Sequence, residues 1–137
     1  MNPLVASLVE KLKTHVPDLR LVMLFGSFAA GCQRDDSDID LAFAATRPLN
    51  NHALFDLKME MQVGCPRSVD LVDLANETVS IILKYEIVTT GLVIFEKDDS
   101  VMSEFETRIL RDHADLIYRR RDIEDDISKR LRAYAHD

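Results

Sequence analysis

This 137-residue chain has no long charge-free stretch. Its longest run without Asp, Glu, Lys or Arg is Leu21–Gln33, 13 residues, too short to cross a bilayer. The N-terminus has neither a basic start nor a cleavable apolar core, since Glu10 and Lys11 interrupt it early; no secretory leader is expected. Cysteine is scarce. Cys32 and Cys65 stand far apart and form no CxxC, which predicts reduced thiols and a cytoplasmic setting. Positive charge is in deficit, with 17 Lys and Arg against 24 Asp and Glu, a net charge of −7. Such a surface repels bulk nucleic acid and steers a basic protein partner toward it. Repeats, low-complexity tracts and linkers are missing too. Residues 1–137 therefore read as one domain, with 47% apolar residues to build its core.

Periodicity and caps give the elements. Asn2-Pro3 reads as an N-cap followed by proline at the first helical position. Leu4, Val5, Leu8, Val9 and Leu12 then recur at helical spacing, predicting a helix over 3–15. Leu19–Phe25 and Ile39–Ala45 are apolar and read as buried strands. Asn50 or Asn51 caps a helix to about Val63, closed by Gly64, Cys65 and Pro66. Ser68–Leu74 predicts a third strand. Asn76-Glu77 opens a helix whose end is marked by Gly91 in the C′ position. Leu92–Glu96 is the fourth strand, and Ser100 caps a final helical segment. A short helical turn is expected at Phe28–Ala30. The order predicts an α+β or α/β domain with a mixed sheet flanked by helices. Its core spans about 3–97, and a C-terminal helical extension about 100–135.

The segment Leu21–Leu41, LVMLFGSFAAGCQRDDSDIDL, carries the chemistry. A strand ends in Gly26-Ser27, and Asp38 and Asp40 follow. At i and i+2 of a strand both carboxylates face one side, where they can bind one divalent metal or bridge two. Carboxylates suit Mg²⁺, which takes its remaining ligands from water and substrate phosphates. Only ten residues join Ser27 to Asp38, too few for a usual parallel crossover, so the two strands should be antiparallel. A third carboxylate is expected from a neighbouring strand. Asp70, between Val69 and Leu71, is the first candidate because a charge there is costly unless paired or metal-bound. Asp73 is the fallback, with an edge or helix-entry role as its other reading. Asp35 and Asp36 read as a solvated acidic loop.

Three look-alikes fail. Gly26–Gly31 has phosphate-loop spacing, but Cys32-Gln33 stands where Lys-Ser/Thr is needed. Asp36–Asp40 begins like a calcium loop, but Leu41 and Arg47 occupy the required glycine and glutamate positions. A dinucleotide fingerprint lacks its glycines.

Gly26-Ser27, ten residues and then Asp38-Ile39-Asp40 resembles the GSx10DxD signature of the DNA-polymerase-β-like nucleotidyltransferases. The short length and Ser68-Val-Asp-Leu-Val-Asp-Leu resemble the minimal nucleotidyltransferases, in particular MntA-type antitoxins paired with HEPN-domain RNase toxins. The match covers residues 20 to about 97. The resemblance implies a mixed sheet with the active site at one end. It also implies ATP as substrate, Mg²⁺ as metal, and AMP transfer to a tyrosine of the toxin. Gly26 and Ser27 would hold the triphosphate. Asp38 and Asp40 would bind metal, and Asp70 would bind metal or take the proton of the attacking hydroxyl. Many relatives carry Arg before the second glycine of the turn, and Ala30 stands there instead. Arg34 could substitute; its other reading is a solvated cation. Two further functional readings stand beside this one: a catalytically idle module that neutralises the toxin by binding, and a small-molecule, aminoglycoside-type nucleotidyltransferase.

From Met102 on, Phe105, Ile109, Leu116, Ile123, Ile127, Leu131 and Tyr134 share one helical face. Glu104–Arg108, Asp115–Arg119, Asp125–Lys129 and Asp126–Arg130 are i,i+4 pairs. One helix over 100–134 would be about 52 Å long, against a domain radius of gyration of about 14 Å. It must break near Arg119–Asp122 or project, and a projecting apolar stripe wants a partner. His113 on the apolar side reads as packing.

Overall fold

The computed structural model describes residues 2–29, 31 and 37–136. Met1, Ala30, Cys32–Asp36 and Asp137 lie outside the described residues, and with them the readings made for Ala30, Cys32, Arg34, Asp35 and Asp36.

Helix α1 (Pro3–His15) opens as expected, with Asn2 Oδ1 accepting the Leu4 N–H at 2.8 Å. Strand β1 (Leu19–Phe25) leads into a single turn, α2 (Gly26–Ala29), and β2 (Ile39–Ala45) returns beside β1. Helix α3 (Asn51–Gln62) is capped by Asn50, whose Oδ1 accepts the Ala53 N–H at 2.8 Å. Then come β3 (Val69–Asp73), α4 (Ile81–Thr90), β4 (Leu92–Glu96) and α5 (Val101–His136).

The four strands lie in the order β3-β2-β1-β4. β1 is antiparallel to β2 and β4, and β2 is parallel to β3. The sheet is mixed and the first pair antiparallel, as the short connection required. β1 and β2 are almost wholly apolar because helices cover both of their faces. On one face Val22, Leu24, Ile39, Leu41 and Phe43 pack against α1 and α3, through Leu8, Leu12, Leu57 and Met61. On the other, Leu21, Met23, Ala42 and Ala44 pack against Ile87 and Val88 of α4 and Val101, Phe105 and Ile109 of α5.

Three local expectations are corrected. α4 begins at Ile81, not at Glu77. Asn76 commits its side chain to an Asx turn, accepting the Thr78 N–H at 3.0 Å and hydroxyl at 2.8 Å. Ser80 then caps the helix by accepting the Ile82 N–H at 3.2 Å. Gly91 ends α4 as expected, but as the C-cap and not the C′ residue, with φ −80°. A Cβ there would come 2.5 Å from the Ile87 carbonyl oxygen and 3.1 Å from that of Leu24, so close backbone approach demands the glycine. At the start of α5 the Ser100 hydroxyl donates to Asp98, and Glu96 Oε2 accepts the Met102 N–H at 2.8 Å.

α5 runs unbroken for 36 residues, about 54 Å, so it projects. Val101, Phe105 and Ile109 are buried in the body, and His113 stacks on Tyr85 with ring centroids 3.7 Å apart. From Tyr118 to Ala135 every residue is exposed. Of the four expected i,i+4 pairs, Asp126–Arg130 closes at 3.1 Å, whereas Glu104 turns away from Arg108 to meet Arg20 at 3.5 Å.

Candidate active site

Strand register builds the site. Phe25 at the end of β1 is opposite Asp40 near the start of β2. Asp40 is in turn opposite Asp70 on β3. The three side chains form one row on the α4 face of the sheet, with the two carboxylates on adjacent strands. Asp38 lies two residues before Asp40, exposed and just outside β2.

Gly26 follows β1 and opens α2 with φ +71°, a backbone that L-residues rarely adopt. Its missing side chain is filled from across the strand pair. A Cβ at Gly26 would land on Asp40 Oδ2 and come 3.1 Å from Asp40 Cγ. The glycine therefore makes room for the carboxylate, a reason beyond the phosphate approach read from the sequence. Ser27 follows it in α2, half-buried. Phe28 is buried below, and the Arg67 guanidinium lies 5.1 Å from its ring centroid. Arg67 Nη1 also donates to the Ser37 carbonyl at 3.2 Å. One cation thus ties the turn carrying Ser27 to the residue preceding Asp38.

The electrostatics are frustrated. Burial, repulsion from the Asp70 carboxylate, a hydrogen bond with Asp70 and the Asp38 charge together push the Asp40 carboxyl from 3.8 up to about 6. A site of hard oxygen donors crowded until one resists ionisation fits a divalent cation, which would relieve the repulsion. Among the described residues no group of three His, Cys, Asp or Glu is gathered tightly enough to count as a metal cluster. Two carboxylates are paired, Asp40 and Asp70, and Asp38 lies near enough for its charge to act on Asp40.

Asp73 has a different task. It is 1% exposed, and its carboxylate accepts the Leu49 N–H at 2.9 Å and the Ala75 N–H at 3.0 Å. Burial raises its pKa, partly offset by those two bonds and by Lys84. It pins the chain on either side of α3 and β3, near the far end of the sheet.

Two cavities meet at Asp40. One of about 480 Å³ lies between Gly26, Phe25 and Asp40 and the α4 residues Leu83, Glu86 and Thr90. The other, about 270 Å³, follows β3 past Asp70 and is bordered by Lys58 of α3. A larger cavity of about 580 Å³ lies between α4 and α5, around Ser80, Lys84 and Asp112. It touches none of the row above, so chemistry rather than size locates the site. Sequence reasoning missed Arg67 and Lys58. A cation just before strand β3 was the only signal for the first. Lys58 had none, because it depends on α3 lying along β3.

The sequence matches the family described as polymerase beta, nucleotidyltransferase, over residues 7–100. It is 32% identical over 131 residues to the protein adenylyltransferase MntA of Shewanella oneidensis, covering 94% of this chain and 91% of that protein. A crystal structure of a toxin-antitoxin with AMP-PNP superposes with a TM-score of 0.80 at 30% identity, covering 93% of this chain and 98% of that one. The tri-AMPylated HEPN toxin of Shewanella oneidensis in complex with its MNT antitoxin matches with a TM-score of 0.74 at 27% identity, covering 90% and 95%. With the motif, the fold and the sequence in agreement, the chain belongs to the polymerase beta nucleotidyltransferase family.

Proposed function

We propose that this protein is an antitoxin that transfers AMP from ATP to a tyrosine hydroxyl of a HEPN-type RNase toxin. The observation that carries the reading is the Asp40–Asp70 pair held in register against Gly26, in a chain of this family that resembles a protein adenylyltransferase over 94% of its length. Asp38, Asp40 and Asp70 would hold Mg²⁺, and Gly26 and Ser27 would cradle the triphosphate. The cation would neutralise charge on the phosphates and orient them. The tyrosine oxygen bonds to the α-phosphorus as the bond from that phosphorus to the bridging oxygen breaks. Pyrophosphate leaves with the electron pair, and Asp70, where it does not hold the cation, would take the phenolic proton. The exposed stripe on projecting α5, Ile123, Ile127, Leu131 and Tyr134, supports a protein partner, because an apolar stripe held off the body is left to be covered. Among the described residues no helix is long and apolar enough to cross a membrane; the cytoplasmic setting is proposed from the two separated cysteines, which form no CxxC.

Incubation with labelled ATP, Mg²⁺ and the cognate toxin should label the toxin, and Asp38→Asn with Asp40→Asn should abolish labelling. Equal labelling by the double variant would sink the metal assignment. The idle-module reading, favoured by Ala30 where relatives carry Arg, predicts full rescue from toxicity by the same double variant.

A further inference from the structure

The row of Phe25, Asp40 and Asp70 stops at β3, which is an edge strand. Its main chain has a definite outer side. The Ser68 carbonyl accepts the Ile39 N–H and the Leu74 N–H donates to the Phe43 carbonyl, so the main chains of Ser68 and Leu74 turn inward to β2. Val69 turns outward and donates its N–H to Gln62 Oε1 of α3 at 3.0 Å. By alternation Leu71 and Asp73 also turn outward. Gln62 closes one end of this edge, and at the other the Asp73 carbonyl accepts the Asn76 N–H at 3.1 Å. Between them the outward Leu71 N–H and C=O have no strand partner: among the described residues no strand pairs with this side of β3, and the Leu71 side chain is packed in the core, leaving the residue 5% exposed.

The smaller cavity lies along that opening, lined by Val69, Asp70, Leu71 and Val72, with Lys58 on the α3 side and Asp40 at its inner end. One face of the opening is therefore acidic and catalytic, and the other is basic. Beside Lys58 the same helix exposes Phe55, at 62%, and Met59, at 57%. Two large apolar side chains one helical turn apart, on the helix that packs against β3, are unusual on an acidic surface.

Resting on the AMP-transfer reading, the geometry points to β3 as the docking edge for the acceptor. An extended segment of the acceptor protein adds as a fifth strand and pairs with Leu71. An added strand lies about 4.8 Å from β3 and alternates its side chains between the two faces. A tyrosine on the α4 face then becomes the fourth member of the row, beside Asp70 and one strand beyond Asp40. Its two sequence neighbours turn to the α3 face, one against Lys58 and one against Phe55. The segment this edge fits is a tyrosine flanked by one acidic and one apolar residue.

Two measurements on the full chain test this. In hydrogen exchange the Leu71 amide should become protected when the toxin is added with AMP-PNP and Mg²⁺. Phe55→Asp should raise the KM for the toxin about tenfold and leave kcat and the thermal shift caused by Mg²⁺ and ATP unchanged. Circular dichroism checks that this exposed substitution folds. A Leu71 amide that exchanges equally fast in the saturated complex, or a Phe55→Asp protein with unchanged KM, overturns the docking edge. If the natural sequence labels no toxin, the activity reading fails alone, and Leu71 exchange still decides where the toxin docks.

Discussion

Gly26→Ala and Gly64→Ala form a matched pair that isolates what the site requires of its glycine. Both glycines have φ +71°, so alanine at either place incurs the same left-handed strain, about 1–2 kcal/mol. For a domain of this size that lowers Tm by about 3–8 °C. The surroundings differ completely. Nothing lies within 4 Å of a Cβ at Gly64, whereas a Cβ at Gly26 lands on the Asp40 carboxylate and 3.1 Å from its Cγ. Asp40 cannot keep its rotamer beside the added methyl group. Its carboxylate must move by about an ångström or more, and a misplacement of that size at a reacting centre costs about 100-fold in rate.

The two variants should therefore lose similar stability in urea denaturation. Per folded molecule, Gly64→Ala should transfer AMP at close to the normal rate, and Gly26→Ala about 100-fold more slowly. A Gly26→Ala protein within threefold of Gly64→Ala would refute the reasoning, since Asp40 would then tolerate displacement and could not be holding the metal.

Asp73→Ala should destabilise the fold by about 2–4 kcal/mol in urea, because two buried N–H groups, those of Leu49 and Ala75, lose their acceptor. Transfer per folded molecule should persist, and its loss would make Asp73 a candidate metal ligand again. Mg²⁺ affinity should fall as pH drops below about 6, where Asp40 takes up a proton that the cation must displace. The metal-free fold has the opposite sign. A raised carboxyl pKa means that ionising Asp40 costs stability, so the fold loses stability as pH rises from about 4 through 6. Titration calorimetry and thermal melts at pH 5 and 8 check both, and Asp40→Asn should flatten both trends. Ile127→Asp with Leu131→Asp should abolish co-purification with the toxin and leave the melting temperature unchanged, since both side chains are exposed.

Sequence reading went furthest where one segment held its own instructions. The run Leu19–Phe25, bounded by Pro17 and Gly26, could be nothing but a buried strand, and ten residues before Asp38 left only an antiparallel return. The motif singled out Gly26, Asp38 and Asp40, and the fold brings Gly26 against Asp40. It failed where two local signals competed. Asn76 and Ser80 are both good caps, and only the turn that Asn76 makes with Thr78 decides for Ser80. It also failed where a contact was distant in sequence. Glu104 and Arg108 have ideal helical spacing, yet Glu104 meets Arg20, brought close by β1. Gly91 does stop α4, and its second task, as a spacer between the Ile87 and Leu24 carbonyls, had no local signal. Lys58 and Arg67 reach the site only through α3 packing on β3, which no local pattern encodes.

The placement of the carboxylates explains why the site lies at the end of the strands. Mid-strand, a pair like Asp40 and Asp70 would be enclosed by α4 and α5, and an unpaired charge there would cost several kcal/mol. At the first residues of β2 and β3 the pair stays half open to water while the strands still fix its spacing. The same positions lie beside Gly26, where the chain can turn without a side chain in the way. Stability is drawn instead from the centre of the sheet, where Leu21, Val22, Leu41 and Phe43 are completely buried. The metal-free site is thus a local loss carried by a distant core. A cation or nucleotide bound there should raise the stability of the whole domain, and by more than it would in a site whose carboxylates were already reconciled.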